Sequence, residues 1–300
     1  MRIGIDVGGT NFRLGVFSGL ELVWEKRFEA DFAGLCNKAD DPLADIVATI
    51  ASAIAEALEN FPDAAAVGIG FPGFIDPVTG RLASSPNLPN LRDVDLAKPL
   101  AGRFNIPFSL ENDALAAAYG EHVLGGAESM IYVGLGTGVG GGLILKGKPY
   151  PGEGGVAMEI GHIIVERGGR ACGCGNSGCL EQYASATGIS RTYLDLAGSH
   201  LAAREIAALA EGGDSVALAA FDLAANMLGC ALSHVLKVID VSHVVIGGGL
   251  SQSWHLMEKT FLARLEADLI PVLRGKVNIR VSASADKAGM LGAAYCSLKS

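Results

Sequence analysis

Between Gly161 and Gln182 the chain reads GHIIVERGGRACGCGNSGCLEQ, which places Cys172, Cys174 and Cys179 within eight residues. Three kinds of chemistry suit such a stretch. A disulfide between Cys172 and Cys174 would be strained at that spacing, and a reducing compartment would break it. Free cysteines are often buried as small hydrophobes, yet these stand among Gly, Asn, Ser and Arg, the composition of an exposed loop. The third possibility is a metal. Three thiolates with the imidazole of His162 make a Cys3His set, which holds zinc tetrahedrally in closed structural sites. Gly173, Gly175 and Gly178 would let the loop turn its sulfurs toward one centre. Such an ion has no open position with which to activate water, so it would brace a loop and leave the chemistry to other residues.

Those other residues gather around glycines. DVGGT at Asp6 to Thr10 and GGG at Gly247 to Gly249 are each compatible with an ordinary turn, whereas GTGVGGG from Gly136 is denser in glycine than any turn needs. Together they suit a nucleotide, because exposed backbone amides and the absence of Cβ atoms let phosphates approach closely. Asp6, facing the first of these turns, either holds Mg2+ through water or caps the turn. Asp113, in ENDALAAAYGE, either caps the helix that the alanines announce or accepts a proton from a hydroxyl.

The elements that must position these groups follow from the pattern. MRIGIDVGGTNFRLGVF reads as strand, tight turn and strand, and ELVWEKRF as a third strand. Apolar spacing predicts a helix from Pro42 to Asn60, a short helix near Leu96 to Phe104 and a final helix from Ala288 to Leu298. AAVGIGFPG reads as a strand, and FSLENDALAAAYGEHV as a strand running into a helix. SMIYVGLGTGVGGGLILKG repeats the opening design, strand, glycine turn, strand, while HVVIGGGLS reads as a strand, three glycines and then a helix. Strands interleaved with helices predict an α/β fold, and the twin hairpins predict two related domains. No P-loop GxxxxGK[ST] occurs.

Composition bounds the function. The 300 residues are 50% hydrophobic and 18% charged, with a net charge of −9, which suits a compact globular protein and disfavours nucleic acid as a partner. VALAAFDLAANMLGCALSHVLKVI is broken by Asp222, His234 and Lys237, so a core or interface helix is expected there, not a membrane span. The opening MRIGID, with its acid at Asp6, does not read as an export signal, and six cysteines in 300 residues do not suggest a secreted disulfide scaffold, so a cytoplasmic location is expected.

With DVGGT, END at Glu111 to Asp113, GTGVGGG from Gly136, EIGH at Glu159 to His162, CGCGNSGCLE at Cys172 to Glu181 and GGG from Gly247, the chain resembles the ROK-family sugar kinases. These form a branch of the actin/hexokinase-like ATPase superfamily. The resemblance implies a two-lobed, ribonuclease-H-like α/β fold. Its smaller lobe would span residues 1–118, completed by a helix at 287–300, and its larger lobe 119–286 would carry the zinc loop. It implies ATP- and Mg2+-dependent phosphorylation of a hexose or aminohexose, at the 6-hydroxyl, of the glucokinase or allose-kinase kind, by a homodimer. Asp113 becomes the base, and Asn87, Asn112, Glu159, His162 and Glu181 join it on the sugar hydroxyls. Asp6, Gly8, Gly9, Thr10, Asn11, Gly136, Thr137, Gly138, Gly247, Gly248 and Gly249 face ATP, and structural Zn2+ takes His162, Cys172, Cys174 and Cys179.

Two positions depart from the family pattern: Asn11 stands where many members carry Lys or Thr, and Met158 stands where glycine is usual before EIGH. A ROK-type sugar-responsive regulator without catalysis is the alternative. Such regulators carry a DNA-binding segment ahead of the kinase-like body, and with the hairpin beginning at Asp6 none is expected here. A zinc-dependent interaction module would leave Asp113 and the glycine turns without a purpose.

Overall fold

The computed structural model describes residues 1–9, 11–38, 41–86, 88, 90–284 and 287–296. By its contacts the chain divides into two compact units, Met1–Glu128 with Gly142–Ala157 and Asp286–Ser300, and Ser129–Gly141 with Met158–Ala285.

The first unit opens with β1 (Arg2–Val7), β2 (Asn11–Ser18) and β3 (Glu21–Glu29), an antiparallel run. Two helices follow, α1 (Phe32–Lys38) and α2 (Pro42–Asn60). The bounds of α2 agree with the sequence reading for local reasons: Asp41 caps its Ala44 amide, and Pro42 occupies the first turn, where a missing N–H costs nothing. Its buried Ile46, Ile50, Ile54 and Ala57 recur at helical spacing and join Ile3, Ile5 and Leu14 of the sheet in one core. Each buried isoleucine contributes roughly 1.5–3 kcal/mol.

Next come β4 (Val67–Phe71), β5 (Phe74–Ile75), β6 (Leu82–Ser84), β7 (Arg92–Val94), α3 (Ala97–Phe104), β8 (Phe108–Asn112) and α4 (Asp113–Val123). The main sheet has the order β3-β2-β1-β4-β8, with β4 parallel to both β1 and β8. The Pro-rich stretch after β4 is not all loop, since β5, β6 and β7 form a small sheet of their own. The expected lobe boundary at residue 118 falls inside α4.

The second unit begins with β9 (Met130–Leu135) and β10 (Val139–Leu145), a hairpin in which Gly136 N–H donates to Gly138 O at 2.9 Å. Beyond Gly141, β10 enters the first unit, where it pairs with β11 (Lys148–Pro149). After the cysteine loop follow α5 (Glu181–Ala184), α6 (Ala186–Ala197), α7 (Ala203–Glu211), α8 (Ser215–Ile239), β12 (His243–Gly247), α9 (Glu258–Asp268) and β13 (Asn278–Val281). The strand order β10-β9-β12-β13, with β12 parallel to β9 and β13, reproduces β2-β1-β4-β8 of the first unit. The sequence repeat is therefore a repeat of topology.

Among the described residues α8 alone is long and apolar enough to cross a membrane by length and composition. It packs against α6, α7 and α9, which accounts for its apolar face as core. Where a single helix was expected after the three glycines, a 3-10 helix, Gly249–Leu256, precedes α9.

The last helix, α10 (Lys287–Cys296), returns to the first unit; Leu298 of the expected span lies outside the described residues. It lies so close to the sheet and to α4 that a Cβ at Gly4, Gly68, Gly120 or Gly292 would collide with backbone carbonyls across the contact. Small residues here permit backbone-to-backbone packing, and this fixes the ends of β1, β4 and β8 where the chemistry-bearing residues stand.

Candidate active site

In the first unit Asp6 and Asp113 stand at one edge of one sheet. Asp6 is in register with Gly70 of β4, and Phe71 with Asn112 of β8, so both carboxylates lie toward the C-terminal ends of parallel strands. That edge is where ligands bind in α/β folds, and strands separated by one neighbour lie about 10 Å apart. Gly289 at the start of α10 gives Asp6 its room, since a Cβ there would come within 2.7 Å of Asp6 Oδ2. The first turn is closed by Gly8 N–H donating to Asn11 O at 2.9 Å. Thr10 lies outside the described residues, as does Asn87.

The cap of α4 answers one alternative for Asp113. The N-cap is Asn112, whose Oδ1 accepts the Leu115 amide at 2.9 Å while its Nδ2 donates to Gly73 O at 3.0 Å. Capping thus falls one residue earlier than the sequence suggested, and both polar ends of Asn112, an expected sugar ligand, have partners inside the protein. Asp113 is the first helical residue. Burial pushes its carboxyl above the ordinary carboxylate value, although the Ala114 amide donating to Oδ1 at 2.8 Å acts the other way. A raised carboxyl is the poise expected of a proton acceptor.

In the second unit the cysteine loop forms the cluster expected of it. One ligand atom from each of His162, Cys172, Cys174 and Cys179 lies within 4.8 Å of the other three. Cys172 Sγ is 3.7 Å from His162 Nδ1, and Cys174 Sγ is 3.6 Å from Cys179 Sγ. A tetrahedral zinc with bonds near 2.3 Å separates its sulfurs by about 3.8 Å, so the donor set and its spacing fit that ion. Burial first, and the neighbouring thiols next, push the Cys179 thiol up to about 12, a crowding that a cation would relieve. The loop is held by isolated bridges pairing Ile164 with Cys179 and Ala171 with Ser177. Gly178 has a φ of 82° and presses on the Glu166 carbonyl, so no side chain fits there.

Glu159 and Glu181 flank the cluster. With Nδ1 of His162 turned toward the thiols, its Nε2 faces Glu159 Oε2 at 3.7 Å. Glu181 opens α5 two residues after Cys179, and its Oε2 accepts the Val139 amide of the glycine hairpin at 3.1 Å. That link was not legible in the sequence, because 42 residues separate the partners.

The glycines divide into two kinds. A Cβ at Gly248 would strike the Leu135 carbonyl, one at Gly247 the Tyr132 ring, and one at Gly138 would displace the Glu181 carboxylate, so packing accounts for glycine at these three. Gly9, Gly136 and Gly249 are different: a Cβ at each meets nothing within 4 Å, and none has a left-handed φ. The fold does not require glycine there. Open backbone at these positions fits phosphate or nucleotide approach.

Met158 has a φ of 65°, which explains why glycine is usual before EIGH. A side chain in this region costs about 1–2 kcal/mol. Met158→Gly is therefore expected to raise the unfolding free energy by about 1 kcal/mol. Urea titration checks this, and an unchanged or lowered midpoint would show that the methionine side chain repays its strain in contacts.

Comparison with known proteins agrees with this geometry. The ROK family profile matches residues 2–299. A glucokinase of Halalkalibacterium halodurans is 32% identical over 98% of this chain and 93% of its own. An N-acetyl-D-glucosamine kinase of Shigella flexneri is 34% identical over 99% of both chains. A ROK family glucokinase from Streptomyces griseus, solved in complex with glucose and AMPPNP, superposes with a TM-score of 0.82 at 31% identity, over 100% of this chain and 99% of that one. A match of this extent, together with the paired sheets and the His/Cys3 cluster, establishes that the chain belongs to the ROK family.

Proposed function

We propose that the protein is an ATP-dependent kinase that phosphorylates a hexose or aminohexose at its 6-hydroxyl. The observation that carries the reading is Asp113: a carboxyl at the C-terminal ends of the parallel strands β1, β4 and β8, poised upward by burial and relieved of the capping duty that Asn112 performs. Its carboxylate takes the proton of the sugar hydroxyl as that oxygen bonds to the γ-phosphorus and ADP departs with the electrons of the broken P–O bond. Because charge in such a transfer is spread over the phosphoryl oxygens, the remaining work is positioning and electrostatics.

Open glycine turns are the groups that take the nucleotide: Gly8, Gly9, Thr10 and Asn11, and Gly136, Thr137 and Gly138, are assigned to phosphate, and Gly247 to Gly249 to the nucleoside. Asp6 holds Mg2+, which supplies neutralising charge to the phosphates. Asn87, Asn112, Glu159, His162 and Glu181 orient the sugar. Zinc on His162, Cys172, Cys174 and Cys179 supplies no chemistry of its own, since the protein fills all its positions; these residues fix the spacing of Glu159 and Glu181. Six free thiols suit a reducing cytoplasm. A homodimer, the form that the family resemblance implies, belongs to the same reading.

A coupled ADP-release assay over a panel of hexoses and aminohexoses with Mg-ATP tests the proposal. Turnover with at least one sugar is expected. No turnover with any of them would leave a sugar-responsive regulator as the better reading.

A further inference from the structure

Three hydrogen bonds tie the helices behind the cysteine loop to the glycine hairpin. The Ala186 amide donates to Gly136 O at 2.8 Å, the Val139 amide donates to Glu181 Oε2 at 3.1 Å, and the Thr187 hydroxyl donates to Thr137 O at 2.9 Å. The first uses backbone alone, and Glu181 already serves another purpose in the reading above. Thr187 is different. It is exposed, its side chain joins no core, and helix α6 gains nothing from a β-branched residue in its first turn.

The acceptor is the carbonyl at the apex of the hairpin, between Gly136 and Gly138. Two glycines leave that apex with more backbone freedom than any other residue pair would. Amides that grip phosphate are effective only when they are already aimed, because ordering them on binding subtracts from affinity. The Ser185 hydroxyl, which accepts the Gly188 amide at 3.0 Å and donates to Glu181 O at 2.7 Å, makes the start of α6 and the end of α5 one rigid corner. Arg170, from the cysteine loop, fastens the same corner through the Gln182 carbonyl at 2.8 Å and Thr192 Oγ1 at 2.9 Å.

We infer that Thr187 is a positioning residue that sets the apex of the Gly136–Gly138 hairpin for the phosphates of ATP, so that the nucleotide grip is aligned from the metal-loop side of the unit. The inference rests on the kinase reading. It adds to that reading a residue with no duty toward sugar or metal.

Thr187→Val keeps the shape of the side chain at an exposed position and removes only the donor. The expected result is a KM for ATP, and a Kd for AMPPNP by calorimetry, raised about 3- to 10-fold, the size of one lost hydrogen bond. The KM for the sugar that supports turnover, the zinc content and the melting temperature should stay at wild-type values, and Thr187→Ser should restore the nucleotide constants. Equal changes in both KM values, or none, would overturn the inference. The two levels separate cleanly: a wild-type protein that neither turns over ATP nor binds AMPPNP overturns the kinase reading itself. A working wild type with a silent Thr187→Val overturns only the role of Thr187.

Discussion

Asp113→Asn is expected to lower kcat by about 10²- to 10⁴-fold, the usual worth of a general base, while sugar affinity stays near that of the wild type. The amide retains the shape of the side chain and can still accept the Ala114 N–H. Stability should move in the opposite direction from activity. A carboxyl whose native pKa is raised contributes its full stability below the unfolded value of about 3.9, and that contribution is lost as pH rises through the native value. Above that point the wild type carries a desolvated anion, and the neutral asparagine does not. The variant should therefore melt at or above the wild-type temperature at pH 8, and its advantage should vanish toward pH 4. The same shift places the acid limb of the wild-type kcat/KM profile above the ordinary carboxylate range, because the base form disappears as pH falls through the raised value. Near-wild-type kcat in Asp113→Asn would remove it as the base, and a lower melting temperature at pH 8 would show that its charge has a stabilising partner.

The second large effect concerns the cluster. Cys179 has 0% exposure, whereas Cys174 is exposed. Cys179→Ser replaces a soft donor by a hard one where neither water nor a neighbouring side chain can take its place. Metal content, about one zinc per chain by elemental analysis if four ligands close the site, should fall to near zero. Sugar affinity should drop by at least about 10-fold, because Glu159 and Glu181 lose their fixed spacing, and misplacement by an ångström costs about 100-fold in rate. Far-UV circular dichroism should change little, since the two sheets and α8 lie outside the loop. Cys174→Ser should show the same effects more weakly. Full zinc occupancy in Cys179→Ser would strike that residue from the ligand set, and full occupancy with lost sugar affinity would show that the loop needs the thiol for packing alone.

Much of this protein was legible before any coordinates, for reasons that are local. Helix α2 announces itself through Asp41, Pro42 and the spacing of its isoleucines, and those are the contacts that form it. The hairpins at Gly8 and Gly136 are turns that close on their own residues. The cysteine cluster is compact in sequence because a tight loop can bring Cys172, Cys174 and Cys179 together without help from the rest of the chain. Where local rules compete, the reading was less sharp. Asn112 and Asp113 are both good caps, and only the course of β8 into α4 decides that Asn112 takes the role.

Tertiary structure alone decided what distant residues do for one another. No pattern in the sequence says that Glu181 reaches Val139, that Thr187 holds Thr137, or that Gly289 exists to make room for Asp6. It also sorted the glycines, showing that Gly138, Gly247 and Gly248 answer to packing while Gly9, Gly136 and Gly249 do not. The physical reason is the same throughout. Periodicity, capping and turn chemistry are encoded within a few residues, so the sequence by itself determined helices such as α2, the twin hairpins and the grouping of His162 with the three cysteines. Hydrogen bonds and close approaches between segments tens of residues apart depend on where the packed sheets and helices bring them. That placement belongs to the folded chain as a whole.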